Sequence, residues 1–144
     1  MSDVMGINFT KAASPVLNSL LGADWRGKVR VCMDRYEAAS LAAGSTIKVA
    51  QAKKDEVFVI GFVIADDLSS AGTLILGDSG DPDRFLAATV FTTGGQITTA
   101  GRINAGGTEG VGYKFTADTD IILTTATEEM TGTIQTIILL ACPN

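Results

Sequence analysis

The sequence contains no histidine. That removes the imidazole on which most hydrolytic triads and many metal sites are built. Its only cysteines, Cys32 and Cys142, lie too far apart for a zinc-site spacing and are too few for a disulfide framework. Aromatic residues make up 6% of the chain, which leaves little to stack a sugar ring against. Positive charge is also scarce: 11 Lys and Arg face 16 Asp and Glu, for a net charge of −5. Proteins that hold nucleic acid through its phosphates need a basic stripe. Here only Arg26, Lys28 and Arg30 stand close together, and they read as a solvated strand edge. Neither nucleic acid nor an anionic membrane is an expected partner. No apolar run approaches the roughly 20 residues of a membrane helix. The start, Met1-Ser2-Asp3-Val4-Met5-Gly6, lacks the basic residues and apolar stretch of a signal peptide, so a reducing cytoplasm is the expected place of folding.

What is present is apolar and glycine-punctuated. Hydrophobic residues reach 46% of 144, the opposite of a disordered chain, and the length suits one domain. Residues 1–27 differ from the rest and read as an irregular N-terminal arm. Within it, Ser14 can cap a short helix that has Pro15 at its first position and Gly22 as its end. From Lys28 the period becomes two, with Val29, Val31 and Met33 alternating with Lys28, Arg30 and Cys32, as in a half-buried strand. Further strands are expected at Ser45 to Gln51, Val57 to Ala65, Thr73 to Leu76, Arg84 to Phe91 and Gln96 to Ile103. Gly112 to Thr116, Asp120 to Thr127 and Gly132 to Cys142 complete the set. The run Val57 to Ala65 is continuously apolar and is expected to be buried on both faces. Short strands with regular turn signals indicate an all-β fold, and about eight of them suit a jelly-roll β-sandwich. The expected organisation is an arm over 1–27 and a sandwich over 28–144.

Few residue groups invite a chemical reading. Asp78-Ser79-Gly80-Asp81 resembles the string around a serine-protease nucleophile, but Ser79 has no histidine to serve as its base. Asp78, Asp81 and Asp83 could offer oxygens to calcium, although aspartates beside Gly77, Gly80 and Pro82 more simply brace a turn, with Arg84 neutralising part of the cluster. Asp66-Asp67 and Glu128-Glu129 are acidic pairs at strand ends, the minimum a glycosidase would need. Gly106 to Gly110 lacks the lysine and following helix of a phosphate loop and reads as a hairpin tip. Cys32 and Cys142 fall in the first and last strands, which often lie side by side. A bridge between them is geometrically open, and two buried thiols are the alternative. No catalytic, metal or cofactor residue is assigned. Partner contacts are expected in the arm, at Phe9, Trp25 and Arg26, because Trp and Arg are enriched at binding hot spots.

Three strings carry a resemblance: Tyr36 to Ala39 with Ala43 to Ile47, Ser70 to Asp78, and Asp83 to Ala88. Together they resemble the cement, or decoration, proteins of short-tailed bacteriophages, including that of a Bordetella phage, over roughly Lys28 to Cys142. The resemblance implies a jelly roll that forms a homodimer or homotrimer on the outside of an icosahedral head, assembled in the host cytoplasm. It further implies the major capsid protein as partner, and neither cofactor nor enzymatic activity. A receptor- or carbohydrate-binding module of a virion fibre is the alternative, and an enzyme with a carboxylate pair is the third reading.

Overall fold

The structure is a computed structural model that describes residues 28–102 and 109–142. The expected helix at 14–22 and the arm residues Phe9, Trp25 and Arg26 lie outside the described residues. Eight strands follow in order: β1 Lys28–Leu41, β2 Thr46–Ala52, β3 Val57–Ala65, β4 Thr73–Gly77, β5 Leu86–Val90, β6 Gln96–Ala100, β7 Thr119–Ala126 and β8 Met130–Cys142. They form two antiparallel four-stranded sheets, ordered β1-β8-β3-β6 and β2-β7-β4-β5. This interleaving of the first and last strands into one sheet is jelly-roll topology, and the expected eight-strand sandwich holds.

The core follows from the period-two alternation of the strands. Phe58, Val63 and Ala65 of β3 and Ile134, Ile138 and Leu140 of β8 point inward from one sheet. Leu74 and Leu76 of β4 and Ile121 and Leu123 of β7 meet them from the other. All are buried, and burial of each large side chain contributes about 1.5–3 kcal/mol. An extra residue, Val59, interrupts the β3–β8 register between Phe58 and Ile60. Such a bulge bends a strand and increases its twist.

One end of the sandwich is closed by aromatic rings. Phe58 stacks on Phe85 at 4.1 Å between centroids, Tyr113 meets Phe85 and Phe115 edge-on, and Phe115 is tilted against Phe85. Here the expected strand at Gly112 to Thr116 is corrected. Only Lys114 forms an isolated bridge, to Val57. The segment instead folds over Glu56–Phe58, with Phe58 N–H donating to the Tyr113 carbonyl and Phe115 N–H to that of Glu56. Its alternation seats one aromatic after another at the end of the core. Gly110 starts this segment with φ +66°, and a Cβ there would collide with the Arg102 carbonyl. Only glycine satisfies both conditions.

Candidate interaction surface

The two outer faces of this sandwich differ in chemistry. On the β2-β7-β4-β5 sheet, Thr46, Lys48, Asp120, Thr124 and Thr73 face outward around the half-buried Ile75 and Ile122. Lys48 Nζ lies 2.6 Å from Asp120 Oδ2. That is the polar-out pattern of an antiparallel sheet meeting water.

The β1-β8-β3-β6 sheet reverses it. In β1 the inward positions hold Arg30, Cys32 and Asp34, while Val29, Val31 and Met33 point outward at 53%, 55% and 64% exposure. The alternation read from the sequence is real, but its apolar side is the exposed one. The register continues this face across the sheet. Val29, Val31 and Met33 lie opposite Ala141, Leu139 and Ile137 of β8. Those in turn lie opposite Val57, Ile60 and Phe62 of β3. Ile64 pairs with Ile97 of β6, which is 64% exposed. A Cβ on Gly101 would come within 3.3 Å of Val111 and 3.7 Å of Ile60, so the exposed Val111 belongs to the same face. The expectation that Val57 to Ala65 is buried on both faces is therefore corrected. Its inward-facing side chains Phe58, Val63 and Ala65 are buried, and Val57, Ile60, Phe62 and Ile64 are only half-buried.

Among the described residues, charge returns only at the rim of this face. At one end Arg35 and Glu37 pair at 2.6 Å beside Gln135 and Thr133. There Arg35, Ile64, Asp66, Gly95 and Thr133 line an open depression of about 240 Å³. At the other end Lys114 pairs with Asp55 at 2.9 Å.

The acidic groups noted in the sequence serve local structure. Asp78 is buried. Its Oδ1 accepts from Gly80 N–H at 2.8 Å and Asp81 N–H at 3.0 Å, and its Oδ2 accepts from Arg84 Nε at 2.7 Å. Arg84 also lies over the Tyr113 ring, 4.1 Å from its centroid. Asp83 accepts from Arg102 at 3.0 Å. The turn reading, with Arg84 as the neutralising charge, holds. Burial pulls the Arg84 pKa down, but the hydrogen bond and charge of Asp78 outweigh it and hold it above its ordinary value. Ser79 is exposed at the turn. Asp66 accepts from Thr133 N–H, and Glu128 from Ala71 N–H and Ser70 Oγ, so each acidic pair holds a turn.

A second buried carboxylate, Glu56, lies under β1. It accepts two hydrogen bonds from Arg30, at 2.6 and 3.1 Å, one from Lys53 N–H at 2.8 Å and one from the Cys142 thiol at 3.3 Å. Burial raises its pKa, but Arg30, Lys53 N–H and Cys142 together bring it below the usual glutamate value. Burial and Glu56 push the Cys142 thiol up. The cysteines are not bridged. Lys28 lies opposite Cys142, and Cys32 opposite Ile138. Their Cα positions are thus offset by four residues, about 13 Å along the strands, beyond the reach of a disulfide.

Bacteriophage capsids contain chains of this fold. A chain in the cyanophage Pam1 capsid asymmetric unit superposes with a TM-score of 0.67, covering 83% of this chain and 88% of that one at 18% identity. For the capsid of Ralstonia phage GP4 the TM-score is 0.62, with 82% and 86% covered at 21% identity. For the acidic stable capsid structure of Helicobacter pylori bacteriophage KHP30 it is 0.59, with 81% and 89% covered at 9% identity. At these identities the likeness establishes the shared fold. No protein-family model matches the chain, and no curated protein matches it in sequence.

The apolar outer face was the feature that sequence reading missed. Its signal was present. The runs 57–65 and 137–141 are apolar at both parities, more than a two-layer core can take in an antiparallel fold. The polar residues Arg30 and Asp34 alternate with β1 valines and so could equally have been assigned inward.

Proposed function

We propose that this protein is a capsid cement protein: a structural component of a phage virion that sits on the head exterior and strengthens contacts between major capsid subunits. The observation that carries this reading is the likeness, over 81–83% of this chain, to chains in three phage capsids. Between 86% and 89% of each of those chains is covered, so the matched sandwich makes up most of each of them and is not one domain of a larger shell subunit. Packaged DNA pushes the shell outward, and a clamp across subunit joints resists it. That task needs a rigid domain, an association surface and a gripping segment. The jelly roll supplies the first, the uncharged sheet face the second, and residues 1–27, with Phe9, Trp25 and Arg26 as contacts, the third. Many equal weak contacts on one particle gain through effective concentration. The exposed face is mainly aliphatic, which suits protein contacts better than the aromatic stacking expected of a sugar-binding module.

The test is addition of purified protein to phage heads assembled without it. Binding should saturate at a fixed ratio to the major capsid protein and raise the temperature at which the heads release DNA. Trp25→Ala or Arg26→Ala should weaken attachment. Absence of saturable binding by the folded protein rejects the reading.

A further inference from the structure

We propose that the outer face of the β1-β8-β3-β6 sheet is buried against the same face of other copies of this chain, so that it lines a closed symmetry axis of a homo-oligomer. The proposal rests on the homodimer or homotrimer that the resemblance implies and gives it a surface, but it stands apart from attachment to a capsid.

The first argument is the reversed polarity of β1. Val29, Val31 and Met33 are each more than half exposed, while Arg30 and Cys32 on the same strand are turned inward. An edge strand that met water on its outer side would carry the opposite pattern. The second is size. Four strands about 4.8 Å apart, over roughly six residues of about 3.3 Å rise, give a face of roughly 400 Å². Contiguous apolar patches beyond a few hundred Å² mark association surfaces. A stable interface buries about 800 Å² per partner. The face supplies the apolar centre of such an interface, and the Arg35–Glu37 and Asp55–Lys114 pairs stand where a polar rim belongs.

The third argument selects the occupant. An uncharged face is matched by another uncharged face. Among the described residues, the opposite outer face carries Lys48, Asp120 and several threonines, and does not match. The matching surface is the same face of a second copy, and like faces meet around a closed axis. A second copy is also present from the moment of synthesis. A face this apolar needs cover before any shell exists, and permanent interfaces are the more hydrophobic class.

Sedimentation equilibrium of the full chain tests this. The wild type should sediment at an integral multiple of the 14.9 kDa chain mass. Met33→Glu and Val31→Glu should weaken association at least about 100-fold, since each places a charge in a desolvated centre. Thr46→Glu, exposed on the other sheet, should leave association unchanged. A peroxide pulse on the wild type gives a reading that requires no variant to fold. Met33 should oxidise slowly at concentrations where the oligomer persists, and rapidly after dilution to monomer. A monomer with Met33 protected would mean that residues 1–27 cover the face, and would overturn the proposal. A monomer with Met33 freely oxidised would overturn it as well. An oligomer that survives both glutamate variants joins through another surface; that result also rejects the face while leaving the homo-oligomer standing. Failure to bind heads by an oligomer that does dissociate in these variants rejects only the cement reading.

Discussion

Asp78→Asn should be among the most damaging single-atom-scale changes in this domain. The side chains of Asp78 and Arg84 are 4% and 11% exposed, and their 2.7 Å contact closes the 77–84 turn against Tyr113. Asparagine keeps an oxygen for the amides of Gly80 and Asp81. Its amide nitrogen, however, would face Arg84 Nε, setting donor against donor and removing the Asp78 carboxylate from beside a buried cation. Breaking one side of a buried pair costs about 3–5 kcal/mol. Total stabilities of domains lie near 5–15 kcal/mol, so this is a large fraction. At roughly 3 °C per kcal/mol for a domain of this size, the midpoint should fall by about 10–15 °C. Arg84→Met leaves the Asp78 carboxylate with two backbone donors, so its cost should sit at the lower end of that range. The double variant removes both charges and should be less destabilised than the sum of the singles by about 1–3 kcal/mol. Urea unfolding followed by far-UV circular dichroism, at one fixed protein concentration, measures all four corners of the cycle. A loss below 1 kcal/mol for Asp78→Asn, or strict additivity, would refute the clamp.

Two further outcomes follow from the network under β1. The Glu56 pKa lies below its ordinary value of about 4.5, and those of Glu37, Asp55, Asp118 and Asp120 are also lowered, chiefly by hydrogen bonds to Arg35, Lys114, the Lys54 amide and Lys48 respectively. A carboxylate with a depressed folded pKa contributes stability that is complete above its unfolded value and is lost as pH falls through the folded one. Stability should therefore decline from about pH 4.5 downward, and Glu56→Gln should flatten that decline; an unchanged slope in the variant would remove Glu56 from the account. For the cysteines, a mild oxidant applied to the native monomer fraction should produce no intrachain bridge, and alkylation after unfolding should label both Cys32 and Cys142. A chain that migrates faster without reductant would contradict the four-residue offset.

The fold was legible because its central strands announce themselves. Val57 to Ala65 and Thr133 to Leu140 are β-branched and apolar, and turn residues bound them. The Asp78 turn was equally readable, since Asp, Gly and Pro brace turns by local hydrogen bonds. What depends on register was not. The first and last strands do pair, as the sequence suggested, but only the observed offset decides that Cys32 and Cys142 stay apart. β1 runs on to Leu41 through Asp34, Arg35 and Glu37, residues with little strand preference of their own. The partner strand β8 holds them there, a tertiary effect that outweighs local propensity. At Gly112 to Thr116 the alternation was right and the element wrong, because burying Tyr113 and Phe115 at the end of the core needs no sheet.

The edge of β1 bears on how copies meet. Among the described residues no strand pairs with the outer edge of β1, and such an edge is a template for adding further strands, the usual route to open-ended aggregation. Lys28, Arg30, Asp34, Arg35 and Glu37 are spread along this edge strand, and charges of this kind oppose strand addition. The neighbouring sheet face has no such guard over Val29, Val31, Met33, Leu139 and Ile137. One strand thus discourages one mode of association and leaves the other open. Edge addition propagates without limit, whereas packing of like faces about an axis stops when the ring closes. A cement protein of the kind proposed, held in a fixed number of copies per shell, needs the second mode, and the distribution of charge along β1 favours it.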